Sequence, residues 1–136
     1  MSSLPNNDIT ALLLSFMDAI RGNIQSRLSE SSSLMHIKAL DFIARAKEPS
    51  MRDVAEFLMI TSPGATMVVD KLVANEEIDR RADADDRRIV RLVITARGRE
   101  TLDTGMNIVK EYISQRLSVL NKTEQKQFSL LLKKII

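Results

Sequence analysis

Apolar residues recur at helical spacing through the N-terminal half of the chain, and polar caps punctuate them. Ile9, Leu13, Phe16, Ile20 and Ile24 mark one face of a first helix, Leu12 and Met17 widen that stripe, and Asn7 or Asp8 stands where its N-cap is expected. Ser31 to Ser33 interrupt the pattern and can cap a second helix carrying Leu34, Ile37, Leu40 and Ile43, which must end near Pro49. Ser50 with Asp53 reads as a capping box opening a short helix, with Val54, Phe57 and Leu58 inward. After a brief turn at Met59 to Thr61, Ser62 is the expected N-cap of a fourth helix with Pro63 in its first turn. Ala65, Val69, Leu72 and Val73 form its buried face; at about 100° per residue, Met67, Lys71 and Ala74 point the other way.

From Ile78 the chemistry changes to that of strands. Ile78 to Ala82 and Ile89 to Ile94 are β-branched runs bracketing Asp83 to Arg88, a hairpin with a charged tip. Thr95 can then cap a long helix through Leu102, Met106, Val109, Ile113 and Leu117, and Asn121 with Glu124 restarts another carrying Phe128, Leu131, Leu132 and Ile135. The expected fold class is mainly α with a small β-hairpin, two close helices and a charged ribbon being the sequence form of a winged helix-turn-helix. A helix from Ala96 to Val119 runs roughly 36 Å, whereas a globule of this length has a radius of gyration near roughly 14 Å. It projects from a single-chain core, and its stripe needs a partner. Amphipathic helices at both termini make a two-fold homodimer the economical solution.

One domain spanning 1–136 accounts for the length, with a DNA-binding lobe at 34–95 flanked by dimerisation helices at 8–28 and 96–136. The formal net charge is only +2, but Arg80 to Arg99 hold seven arginines against three aspartates, which favours a phosphate-rich partner there. With no cysteine, the chain has no disulfide framework, thiolate nucleophile or zinc finger; a metal site built on the single His36 would need carboxylates to complete it. His36 is read as a packing or surface residue rather than a ligand or pH switch. The first twenty residues lack a basic region before an apolar run that Asp18 and Arg21 interrupt, so no membrane segment and a cytoplasmic location are expected. No cofactor is implied. Glu76 and Glu77 lack an accompanying base or nucleophile, and Asp83, Asp85 and Asp86 fail as a calcium loop because Arg87 stands at a ligand position, so no enzyme is read here.

In a helix-turn-helix the start of the second helix meets base edges. Ser62, Gly64, Thr66, Met67 and Lys71 are the candidates: Gly64 for close approach, Ser62 and Thr66 for hydrogen bonds, Met67 for a thymine methyl and Lys71 for a phosphate. Taken singly, Ser62 reads equally well as a mere cap and Lys71 as a solvated charge. At the hairpin tip Arg87 and Arg88 can enter the narrow minor groove, with Asp86 and Asp83 holding the turn and orienting a guanidinium; the alternative is a solvated tip with incidental pairing.

These residues, and the run from Met51 to Glu100 in particular, resemble the MarR family of winged-helix transcription regulators. The most specific match is Asp83-Ala84-Asp85-Asp86-Arg87-Arg88 followed by Ile94-Thr95-Ala96-Arg97-Gly98. The resemblance implies dimers joined through the first and last two helices, recognition helices in successive major grooves of double-stranded DNA, Arg88 as the wing arginine and Asp86 as its partner. It also implies sensing of small aromatic or phenolic compounds, for which a pocket near Phe16, His36, Phe42 and Tyr112 is the expectation, although the same spacing fits an ordinary core. Three departures from the family pattern stand out: Ala84 replaces a proline at the tip, Met67 replaces a polar or basic residue, and Glu76-Glu77 replace a glycine and an apolar residue, leaving Asn75 as the expected left-handed cap. The function expected is a homodimeric repressor of a pseudo-palindromic operator released by a small ligand; the alternative is a winged-helix protein-interaction module without sequence-specific DNA binding.

Overall fold

The computed structural model describes residues 8–136, and the cap candidate Asn7 lies outside them. Asp8 is the N-cap of α1 (Ile9–Arg27), accepting the Thr10 N–H at 2.9 Å. Ser33 opens α2 (Leu34–Ala46) in a reciprocal box with His36: the His36 N–H donates to Ser33 Oγ at 3.2 Å, and the Ser33 N–H donates to His36 Nδ1 at 3.0 Å. Ser50 and Asp53 do the same for α3 (Met51–Leu58). α4 (Ser62–Ala74) follows after a turn through 109°, within the range of a helix-turn-helix.

β1 (Ile78–Ala82) and β2 (Val90–Ile94) pair antiparallel, Ile78 opposite Ile94 and Ala82 opposite Val90. Strand β2 starts one residue later than its β-branched run, because the Ile89 N–H is spent closing the tip on the Asp86 carbonyl. The ribbon is also sewn to the helices: Ser50 bridges Arg91, and the Leu92 N–H donates to the Pro49 carbonyl at 2.9 Å. Thr95 caps α5 (Ala96–Leu117), and the Asn121–Glu124 box opens α6 (Lys122–Ile135).

Leu40 and Ile43 from α2, Val54 from α3, Val69 and Leu72 from α4, Ile78 from β1 and Leu92 from β2 form one buried cluster. Each such side chain contributes about 1.5–3 kcal/mol by leaving water, so α2, α3, α4 and the ribbon are held as one piece. Helix α5 crosses α2 closely enough that a Cβ on Gly105 would lie 2.4 Å from Ile37 Cδ1. Two inward assignments need correction. Phe57 is 40% exposed and lies flat on Phe42 with ring centroids 4.3 Å apart, and Val73 is only half-buried. The cap of α4 also differs: Asn75 is right-handed, and Glu76 takes the left-handed turn at φ 60°.

Candidate nucleic-acid interface

The outward face of α4 is set by its cap. Thr61, not Ser62, is the N-cap, accepting the Gly64 N–H at 3.2 Å; the expectation for Ser62 fails because Thr61 has the extended backbone a cap needs. Ser62 is therefore the first helical residue, exposed and free of a capping role. Thr66 lies one turn on, its hydroxyl donating to the Ser62 carbonyl at 3.1 Å while its oxygen remains able to accept. Met67 is 75% exposed, Lys71 is exposed, and Gly64 is half-buried against Thr61 and Ile60. Helical spacing puts Met67 and Lys71 on one outward face with the helix N-terminus at its edge.

The hairpin tip is organised by carboxylates. Asp83 Oδ2 accepts the N–H groups of Asp85 and Asp86 at 3.1 and 3.0 Å, and Asp83 Oδ1 accepts Arg91 Nε at 2.8 Å. Asp86 grips Arg88 with both oxygens, accepting Nε on Oδ1 and Nη2 on Oδ2 at 3.0 Å each. The Arg88 backbone N–H also donates to Oδ1 at 3.0 Å. Bidentate pairing fixes the guanidinium plane, yet the Arg88 side chain remains 89% exposed. Arg87 is exposed and has no carboxylate partner among the described residues. Both acids sit below the usual carboxylate range: Asp83 through its bond from Arg91 and then the Asp86 and Asp85 amides, Asp86 through its bonds from Arg88. A groove of about 490 Å³ runs from the wing to the start of α3, with Arg52, Arg88 and Arg91 along it.

Sequence reasoning missed how the wing is tied to α4. Asp70, exposed on α4, forms an ion pair with Arg80 on β1. No periodicity marks two residues that meet only because the chain reverses after Asn75. Arg52 lies two residues after the cap Ser50, a local signal that could have marked it as standing at a helix start, whereas the approach of Arg91 to Ser50 is made only by the fold.

The four pocket candidates are engaged separately. His36 serves the α2 cap and is buried, which together with the charge of Lys71 pushes its imidazole below the ordinary value near 6.5. Phe42 is stacked on Phe57, and Phe16 is half-buried on α1. Tyr112 is buried on α5, where its oxygen accepts Arg116 Nε at 3.0 Å and the Arg116 and Arg27 guanidinium groups lie over its ring. A cavity of about 470 Å³ opens elsewhere, between the end of α1, the serine loop, Glu77 and the first half of α5, and none of the four lines it. Among the described residues no single helix is long and apolar enough to cross a membrane.

Residues 33–89 match the family model described as MarR family. The HTH-type transcriptional regulator BilQ of Clostridium symbiosum is 28% identical over 106 residues, covering 78% of this chain and 74% of that protein. The crystal structure of wild-type MarR from E. coli in its apo form superposes with a TM-score of 0.83 at 19% identity, over 94% of this chain and 96% of that one. BpsR of Bordetella bronchiseptica, whose structure was described for regulation of DNA binding by 6-hydroxynicotinic acid, superposes at 0.77 with 20% identity, over 93% and 97%. The last two likenesses establish the shared fold.

Proposed function

We propose, for a chain that belongs to the MarR family of winged-helix transcriptional regulators, that it acts in the cytoplasm as a homodimeric repressor of a pseudo-palindromic operator. The observation that carries this reading is the wing tip, where Arg88 is held in plane by Asp86 and still projects almost fully into solvent. A pre-oriented guanidinium on a narrow ribbon suits the minor groove, where negative potential concentrates. The outward face of α4 would enter the adjacent major groove, with Ser62, Gly64, Thr66 and Met67 toward base edges and Lys71 toward phosphate.

Pairing of two chains is supported by apolar surface that one chain leaves open. Ile9, Leu12, Leu14 and Met17 on α1 and Leu131 and Ile135 on α6 are all exposed, and α6 buries no residue of its own. A two-fold partner covers both helices and sets the recognition helices about 34 Å apart, one turn of DNA. Release by a small aromatic or phenolic ligand is proposed by analogy with regulators such as BpsR.

The test is fluorescence anisotropy on duplexes selected from the organism's own DNA, across a salt series. Arg88→Ala should weaken binding about tenfold and lower the salt slope by about one. Unchanged affinity and slope would remove Arg88 from the interface. A monomer by light scattering at micromolar concentration would refute the paired grip. Absence of salt-dependent binding to any duplex would favour a protein-interaction module, for which the exposed, apolar Met67 is the supporting feature.

A further inference from the structure

The 470 Å³ cavity is walled by side chains that neither the DNA face nor the apolar helix faces require. Its volume lies in the range of small-molecule sites. Glu77 is its buried feature. The residue follows the left-handed turn that ends α4 and is only 5% exposed. Its carboxylate accepts neutral donors, Thr101 Oγ1 at 3.0 Å and Asn75 Nδ2 at 3.5 Å.

Among the described residues no lysine or arginine nitrogen lies within ion-pair distance of Glu77. Arg97, which also lines the cavity, is taken by the neighbouring Glu76 at 3.2 Å. A buried carboxylate met by neutral donors alone lacks the counter-charge that usually offsets its loss of water. The rest of the wall combines hydroxyls, Ser31, Ser32 and Thr104 among them, and the charges of Arg27 and Glu100 with apolar Leu28, Ile37 and Ile108. No group of three or more acidic or histidine side chains that could hold a metal ion occurs among the described residues. An anion would meet Glu77 unfavourably.

We propose that this cavity binds a small polar molecule through a protonated amine seated on the Glu77 carboxylate, with the serine and threonine hydroxyls meeting its other polar groups. Asn75, which shares Glu77 with the cavity, also donates to the Ser31 carbonyl at 3.3 Å. The amine would therefore sit on the joint between the recognition helix and the α1–α2 loop. The proposal does not depend on DNA binding, and its test is read on the free protein.

Amide NMR spectra of the ¹⁵N-labelled full chain are recorded with two matched sets of probes at millimolar concentration: glucosamine, glucose and glucuronate, and benzylamine, benzyl alcohol and benzoate. At least one amine should shift the amides of Glu77, Thr101 and Gly105 saturably while its alcohol and carboxylate counterparts do not. Glu77→Gln, which keeps an oxygen for Thr101, should weaken that response at least tenfold. Thr104→Trp, placed at an exposed position on the wall, should abolish it by filling the space, giving a second variant if the first folds poorly. Equal response to alcohol or carboxylate overturns the assignment. So does the absence of a saturable shift with both amines, or undiminished binding in the folded variants.

Discussion

Of the four glycines inside helices, Gly22, Gly98 and Gly105 should respond in three different ways to the same added methyl group. In α1, a Cβ on Gly22 meets nothing within 4 Å, so Gly22→Ala gains helix propensity without a clash and should stabilise by about 0.5–1 kcal/mol. In α5, a Cβ on Gly105 falls 2.4 Å from Ile37 Cδ1 and 2.8 Å from its Cγ1. Those are side-chain atoms that can turn away, so an overpacking cost of about 1–3 kcal/mol set against a propensity gain of about 1 kcal/mol leaves a loss of about 0–2 kcal/mol. A Cβ on Gly98 would lie 2.0 Å from the Glu77 carbonyl oxygen, and that oxygen already accepts the Thr95 N–H at 3.0 Å. Neither backbone can yield without moving the start of α5 off the Glu76–Glu77 turn, so Gly98→Ala should cost about 3 kcal/mol or more. Urea denaturation of all three at one fixed protein concentration measures the order, because pairing of chains would otherwise shift midpoints by mass action. At this chain length each kcal/mol corresponds to about 3–5 °C in Tm. A Gly98→Ala protein as stable as Gly105→Ala, or a destabilised Gly22→Ala, would refute the packing described for α5.

His36 accepts the Ser33 N–H only while neutral, and burial followed by the Lys71 charge holds its pKa below the ordinary 6.5. The unfolded chain then takes up the proton first as pH falls below about 6.5. Stability present at pH 7 should decline towards pH 5 by about 1 kcal/mol, the worth of a cap, and the slope should be absent in His36→Gln, checked by urea midpoints across that range. Glu76 holds φ 60° with an exposed ion pair to Arg97 as its only side-chain gain, so Glu76→Gly should raise stability by about 1 kcal/mol in the same assay. Asp83→Ala removes the acceptor for two tip amides and Arg91; amide exchange at Asp85 and Asp86 should quicken and DNA affinity fall several-fold, and unchanged exchange would refute the role of Asp83.

The caps were the most legible part of this chain, because a cap is a local contract between residues three apart. Ser50 with Asp53, Thr95 and Asn121 with Glu124 all lie where their spacing places them. The failure at Ser62 is of the same kind: two adjacent hydroxyl residues compete, and the backbone of Thr61 decides. Phe57 was misplaced because a helix period gives a direction but not the depth of what it faces, and Phe42 offers a ring at the surface rather than a core. Gly105, buried on α5, has no signal in the sequence, since a helix that contacts different neighbours along its length has no single stripe. The Arg88–Asp86 pair was legible through the family motif and needed only two residues of chain. The cavity at Glu77 was not, for it joins the end of α1, the serine loop and α5 around a turn that no periodicity describes.

The wing shows why counting arginines overstates what this surface does at a distance. Of the seven between Arg80 and Arg99, five are paired: Arg80 with Asp70, Arg81 with Glu48, Arg88 with Asp86, Arg91 with Asp83 and Arg97 with Glu76. Neutralised pairs contribute little to the far field that steers a polyanion, leaving Arg87 and Arg99 as the cations of this stretch without a partner among the described residues. What the pairs supply is direction. Asp83 closes the tip where Ala84 gives no proline ring to stiffen it, and through Arg91 it ties that tip to β2 and so to Pro49 and Ser50. Asp86 occupies two N–H groups of Arg88 and leaves the others pointing outward. The side-chain entropy of a long arginine is thus reduced in the free protein, so the proposed contact at the minor groove would order little that was free. A surface of this design is suited to recognition by fit at close range more than by charge at long range, in keeping with a chain whose net charge is only +2.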